Sequence, residues 1–181
     1  MEKIPSPCIG INPIKLKDSS FLQGLLKEIK NSLGVQTKII TVLNDIEFAY
    51  HEGRGQYYST RILEELNRLT PDKYLRVLAI TDKDLFIPIL TYVYGEAQLD
   101  GRAAIISTNR LMPQNRSPKE LMKFSSRIIK EALHELGHTF GLTHCRDKRC
   151  IMHYCRTLRE VDEKQTKFCF FCETLLMDKL K

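Results

Sequence analysis

The sequence predicts an α/β (α+β) fold: a mixed, mostly parallel twisted sheet with one antiparallel strand, packed on helices that include one long helix late in the chain. A small C-terminal lobe follows. Three observations predict it. Strand-like and helix-like apolar patterns alternate as far as Ser107. Two apolar runs flank Asp100-Gly101, a turn signal for a hairpin. A capped helical pattern then starts at Ser117 and stops at Gly141.

The elements follow in order. Ile9 to Ile14 is a short apolar strand. Ser19 or Ser20 can cap a helix carrying Phe21, Leu22, Leu25, Leu26, Ile29 and Leu33 at helical spacing, and Gly34 ends it. Val35 to Leu43 alternates as a strand. Gln56 to Leu69 reads as a second helix with Ile62, Leu63, Leu66 and Leu69 inward, broken by Thr70-Pro71-Asp72. Tyr74 to Thr81 is a strong strand, and Tyr92 to Gln98 pairs with Ala103 to Ser107 as the hairpin. This order argues for a mostly parallel sheet with one antiparallel strand. The third helix opens on Ser117-Pro118-Lys119-Glu120, a capping box with proline at the first helical position. Leu121, Phe124, Ile128 and Leu133 form its apolar face, and it runs to Phe140. A last helix spans Phe171 to Leu180.

At 181 residues and 43% hydrophobic, the chain suits a single domain with a real core. Residues 1–141 form an upper α/β lobe ending in the long helix, and residues 142–181 a small lobe. No run of eighteen apolar residues predicts a transmembrane helix. MEKIPSPCIG has no apolar core of a leader peptide, so a cytoplasmic, reducing location is expected. Net charge is +6, but the basic residues are scattered. The densest cluster, Arg146, Lys148 and Arg149, reads as a solvated loop, and no nucleic-acid-binding spacing is present. The expected state is a monomer with no membrane partner.

His134, Glu135, His138, Gly141 and His144 form one run, HELGHTFGLTH. Histidines at i and i+4 lie about 40° apart around a helix, so both imidazoles can reach one Zn²⁺. Gly141 can take positive φ, end the helix and bring His144 round as a third ligand. Three nitrogens leave a fourth position for water, the layout of a catalytic zinc. Glu135, beside the first ligand, can serve that water as general base.

Four of the six cysteines, Cys145, Cys150, Cys169 and Cys172, read as a C-x4-C pair followed by a C-x-x-C pair, a four-cysteine zinc pattern. In a reducing compartment metal ligation is favoured over disulfides. Cys155 sits five residues beyond Cys150 and could replace it; its other reading is a buried small hydrophobe. Cys8 reads as core. The forty residues after Gly141 are too few to build a core unaided, which is the physical reason for a second zinc there.

The run from His134 to His144-Cys145, then Cys150-Ile151-Met152 and Cys169-x-x-Cys172, resembles the archaemetzincin (archaelysin) family of the metzincin clan of zinc metallopeptidases. The resemblance covers about a fifth of the chain, residues 134–172. It implies a metzincin-like fold and peptide hydrolysis with two Zn²⁺. His134, His138 and His144 match the catalytic-zinc ligands and Glu135 the base. Cys145, Cys150, Cys169 and Cys172 match a structural zinc, and Met152 the methionine of the Met-turn. Sixteen residues separate Met152 from Cys169, one fewer than in the family pattern. The segment Ile151-Met152-His153-Tyr154 also resembles the astacin-like Met-turn, so Tyr154 is a candidate fifth ligand or oxyanion donor; its other reading is a packed turn aromatic. The strand from Tyr92 to Gln98 either borders the cleft and pairs with peptide or is simply the sheet edge. The substrate expected is a peptide or small protein, with a lean to small peptides or aminopeptidase-like action. A zinc hydrolase of non-peptide amides and a non-catalytic zinc module for interactions or nucleic acid stay open. The base at Glu135 speaks against the latter.

Overall fold

The computed structural model describes residues 7–113, 115 and 117–180. The first six residues, on which the leader-peptide expectation falls, and Lys181, the expected end of a C-terminal lobe, lie outside them. Its elements are β1 (Cys8–Ile14), α1 (Leu22–Leu33), β2 (Gln36–Ile39), β3 (Tyr50–His51), β4 (Gln56–Tyr58), α2 (Ser59–Leu69), β5 (Arg76–Thr81), β6 (Leu85–Phe86), β7 (Gly95–Ala97), β8 (Ala103–Ser107), α3 (Pro118–Thr139), α4 (Leu158–Glu163) and α5 (Phe170–Leu180).

The central sheet has the order β2-β1-β5-β8-β7. Its first four strands are parallel, and β7 runs antiparallel to β8. Side chains alternate across a strand, so each apolar run feeds two cores. Ile9, Ile11, Leu78, Ile80, Ala104 and Ile106 face α1 and α3. Ile14, Val77, Ala79, Ala103 and Ile105 face α2. Asn12 occupies the latter face without leaving its amide orphaned: its side chain donates to Leu43 O at 2.8 Å and accepts from the N–H groups of Val42 and Leu43. The Asp100-Gly101 turn forms as expected, with Asp100 left-handed at φ 53°.

Several expectations need correction. The strand read over 35–43 pairs only at Gln36–Ile39; beyond it, Ile40 and Leu43 turn in to cover the second core. The hairpin strand read from Tyr92 is regular only at Gly95–Ala97. Gln56 to Tyr58 is not helical but joins β3 and β6 in a small second sheet, and α2 begins at Ser59. No serine side chain caps α1, whose N-cap is Phe21. On α3 the Ser117 hydroxyl accepts from Glu120 N–H, but the Glu120 carboxylate pairs with Lys123 instead of closing the box. Leu121 is exposed, whereas Phe124, Ile128 and Leu133 of the same expected face are buried. Cys8 is half-buried at the start of β1 rather than in the core. Helix α4 was unforeseen, although Thr157 and Glu160 cap it reciprocally.

The end of α3 is set by local geometry. Gly141 has φ +85°, its N–H bonds to His138 O at 2.9 Å, and Leu142 N–H reaches back to Gly137 O at 3.1 Å. This pair of bonds is the Schellman arrangement, which satisfies carbonyls the helix leaves open. The hairpin turn abuts the same place, since Asp100 N–H also donates to His138 O at 2.9 Å. Replacing Gly141 by Ala should therefore cost about 1–2 kcal/mol, the penalty of a left-handed L-residue. A lower urea midpoint with an unchanged m-value would register it.

Candidate active site

The last turns of α3 are buried on nearly every side. His134 and His138 project from them into a cleft of about 700 Å³, which the chain after Gly141 closes with His144. The reactive nitrogens of the three histidines lie within 4.8 Å of one another. His134 Nε2 and His138 Nε2 are 3.1 Å apart, close enough to serve one cation.

The other ring nitrogens explain this aim. His134 Nδ1 lies 2.9 Å from Ile151 O, and His138 Nδ1 lies 2.7 Å from Leu142 O. A carbonyl can only accept, so both Nδ1 atoms carry the proton and both Nε2 lone pairs face inward. His144 stacks on His134 at 5.4 Å between centroids, meets His138 edge-on at 4.9 Å and has Tyr154 at 5.0 Å. Burial pulls the basicity of all three imidazoles below the usual histidine range, and the nearby Lys164 ammonium adds to the effect. They are neutral near pH 7, as metal ligation requires. The donor set therefore fits a zinc ion.

Glu135 is buried between α3 and β7. A Cβ on Gly95 would sit 2.7 Å from Glu135 Cγ and 2.8 Å from Ile105 O, so only glycine admits the carboxylate against this strand. Burial pushes its pKa well above the ordinary carboxylate range; Glu131, one helical turn away, pushes the same way and Lys164 opposes. Such a carboxylate is a stronger proton acceptor than one in water.

The cysteine sulfurs of Cys145, Cys150, Cys169 and Cys172 form a second group, again within 4.8 Å of one another. Cys145 Sγ and Cys169 Sγ are 3.8 Å apart, far beyond a disulfide bond. Cys150, not Cys155, belongs to this group. Cys155 instead lines the cleft, where burial pushes its thiol up to about 11. Met152 is fully buried, with its sulfur against the backbone of Gly137 on α3. Cys145 N–H donates to Met152 O at 2.9 Å, so the sulfur cluster and the segment under the histidines are one hydrogen-bonded unit.

A family model for peptidase family M54 matches residues 17–178. The chain belongs to this family, the archaemetzincins. It is 43% identical over 135 residues to the archaemetzincin of Methanopyrus kandleri, covering 75% of this chain and 74% of that protein. The crystal structure of archaemetzincin from the same organism superposes with a TM-score of 0.83 at 34% identity, covering 97% of this chain and 96% of the other. A zinc-dependent peptidase from Methanocorpusculum labreanum also gives 0.83, at 26% identity, over 93% of this chain and 99% of the other. The protein is a metallopeptidase with a mostly parallel mixed sheet, as expected. No helix among its described residues is long and apolar enough to cross a membrane.

Sequence reasoning missed the charged side of α3. Arg127, Lys130 and Glu131 are all buried. Arg127 grips Asp162 through two 2.7 Å bonds and donates to Leu111 O. Lys130 Nζ donates to Val161 O and Asp162 O at 2.9 and 3.0 Å. Lys164 Nζ lies 3.0 Å from Glu131 Oε1. The available signal was three charged residues near the middle of a helix whose surroundings are apolar. In the peptidase, Asp162→Ala should cost about 3 kcal/mol, because it leaves a buried guanidinium without its carboxylate. Chemical denaturation against the wild type would measure the loss.

Proposed function

We propose that this chain is a zinc peptidase in which His134, His138 and His144 hold the catalytic ion and Glu135 is the general base. One observation carries the reading: three imidazoles, two of them fixed by backbone carbonyls with Nε2 inward, converge beside a buried carboxylate in an open cleft. Zinc bound there supplies Lewis-acid polarisation of a peptide carbonyl and acidifies water. Glu135 takes a proton from the attacking water and returns it to the leaving amine. Strand β7 is the open edge of the sheet and lines the cleft, so its free backbone groups suit an extended peptide. Tyr154, against His144 at the cleft wall, donates to the developing oxyanion. Small peptides, with aminopeptidase-like action, remain the substrate reading.

Cys145, Cys150, Cys169 and Cys172 hold a second, structural zinc, with Met152 in the Met-turn. This zinc fixes the Cys150-Ile151 carbonyl segment, and Ile151 O in turn orients His134. Four cysteines grouped as metal ligands and not joined as disulfides suit a reducing cytoplasm.

The decisive measurement is zinc stoichiometry of the wild type and Glu135→Ala, with peptide hydrolysis in parallel. Two zincs in both proteins, and a loss of about 10²–10⁴-fold in turnover for the variant, are expected. A wild type with one zinc and no turnover on any peptide would end the reading. Tyr154→Phe should keep both zincs and lower turnover by about 10²–10³-fold, the worth of one oxyanion donor. An unchanged rate would leave Tyr154 as a packed aromatic only.

A further inference from the structure

Beyond the residues just assigned, the cleft has a cation in its floor. Lys164 lines the cavity yet is only 2% exposed. It caps the end of α4, and the neighbouring backbone is pinned to α3 by the Arg127–Asp162 fork and by Lys130, so its root cannot drift. An ammonium carries three donor hydrogens. Among the described residues Glu131 is its ion-pair partner, and that contact is one of charge more than of direction: Glu131 Oε1 has no well-aligned donor. Donors therefore remain for a ligand in an enclosed place where a hydrogen bond to charge counts most.

The other charges of the cleft are committed elsewhere or lie at its mouth. The Glu96 carboxylate is taken up by the hydroxyls of Ser59 and Thr60. Arg156, exposed at the rim, lies over the Tyr154 ring. The lysine's field reaches Glu135 and all three imidazoles. A buried ion pair adds little stability over an apolar pair of equal size. Its use is better sought in what it offers the cavity.

We propose that Lys164, seated on Glu131, is the base of a specificity pocket that accepts a carboxylate of the bound peptide beside the scissile bond. This rests on the peptidase reading. The carboxylate comes either from the free C-terminus of a short peptide or from an Asp or Glu side chain.

Two matched pairs of peptides separate these sources: a short peptide with a free C-terminus against its amide, and a longer amidated peptide containing Asp against its Asn counterpart. The wild type should favour the carboxylate member of at least one pair by about tenfold to a hundredfold in kcat/KM, the worth of a hydrogen bond to charge; the pair that shows it names the source. Lys164→Met should erase the preference at unchanged zinc content. Lys164→Met combined with Glu131→Gln leaves no charge orphaned, and should erase it too. A wild type that treats both pairs alike, or a double variant that keeps the preference, overturns the proposal; the first comparison needs no variant to fold. Calorimetric binding of the same peptides to zinc-loaded Glu135→Ala gives a readout without turnover. Carboxylate-selective binding with no hydrolysis by the wild type would sink the peptidase reading and keep the pocket. Normal hydrolysis without selectivity would do the reverse.

Discussion

The turn at Gly141 is the constraint on which the cleft depends. A helix that ran on would carry residue 144 away along its own axis. Ended in the left-handed region, the chain doubles back within three residues and lays His144 across His134. The same reversal delivers Leu142 O to His138 Nδ1. One backbone dihedral therefore places a third imidazole and sets the tautomer of the second. The hairpin turn at Asp100 bonds to the same helix end, so the sheet that carries β7 and the helix that carries the histidines share a reference point.

The second fixed point is Ile151. Its carbonyl orients His134, and its neighbours in sequence are Cys150 of the sulfur cluster and Met152 under the helix. The apolar residues beyond α3, among them Leu142, Ile151, Met152, Val161 and Leu176, join the core shared by α1, the sheet and α3, and the segment has further support. Support comes from two sides: the four sulfurs, and the charged face of α3 reaching α4 through Arg127 and Lys130. The first is visible as spacing. The second is built from side chains that would be costly to bury singly and are tolerable only as a satisfied network.

What could be read in advance follows from the range of each interaction. The histidine run is local: i, i+4 and a glycine stop are properties of one helix, and the sequence states them in eleven consecutive residues. The cysteine pairs are also local within each pair. Parallel strands buried on both faces announce themselves as apolar runs, as in Arg76–Thr81 and Ala103–Ser107. The small second sheet was hidden because its strands have two or three residues, too few for a period to register. Lys164 was hidden because its meaning lies in Glu131, thirty-three positions earlier, and Gly95 because its meaning lies in Glu135. Cys150 and Cys155 are alike in spacing; the family resemblance favours Cys150, and the fold sends it to the sulfurs and Cys155 to the cleft.

Strand β7 has a consequence for the molecule's behaviour among its own copies. Unpaired strand edges invite chains to stack on one another and are a common origin of aggregation. This edge is only three residues long and is recessed in the wall of the cleft, with Ile87, Leu90 and Leu99 around it. An edge of three residues offers few backbone groups for another sheet to pair with. The brevity of this edge thus limits what a neighbouring copy can pair with, while its backbone still faces the cleft.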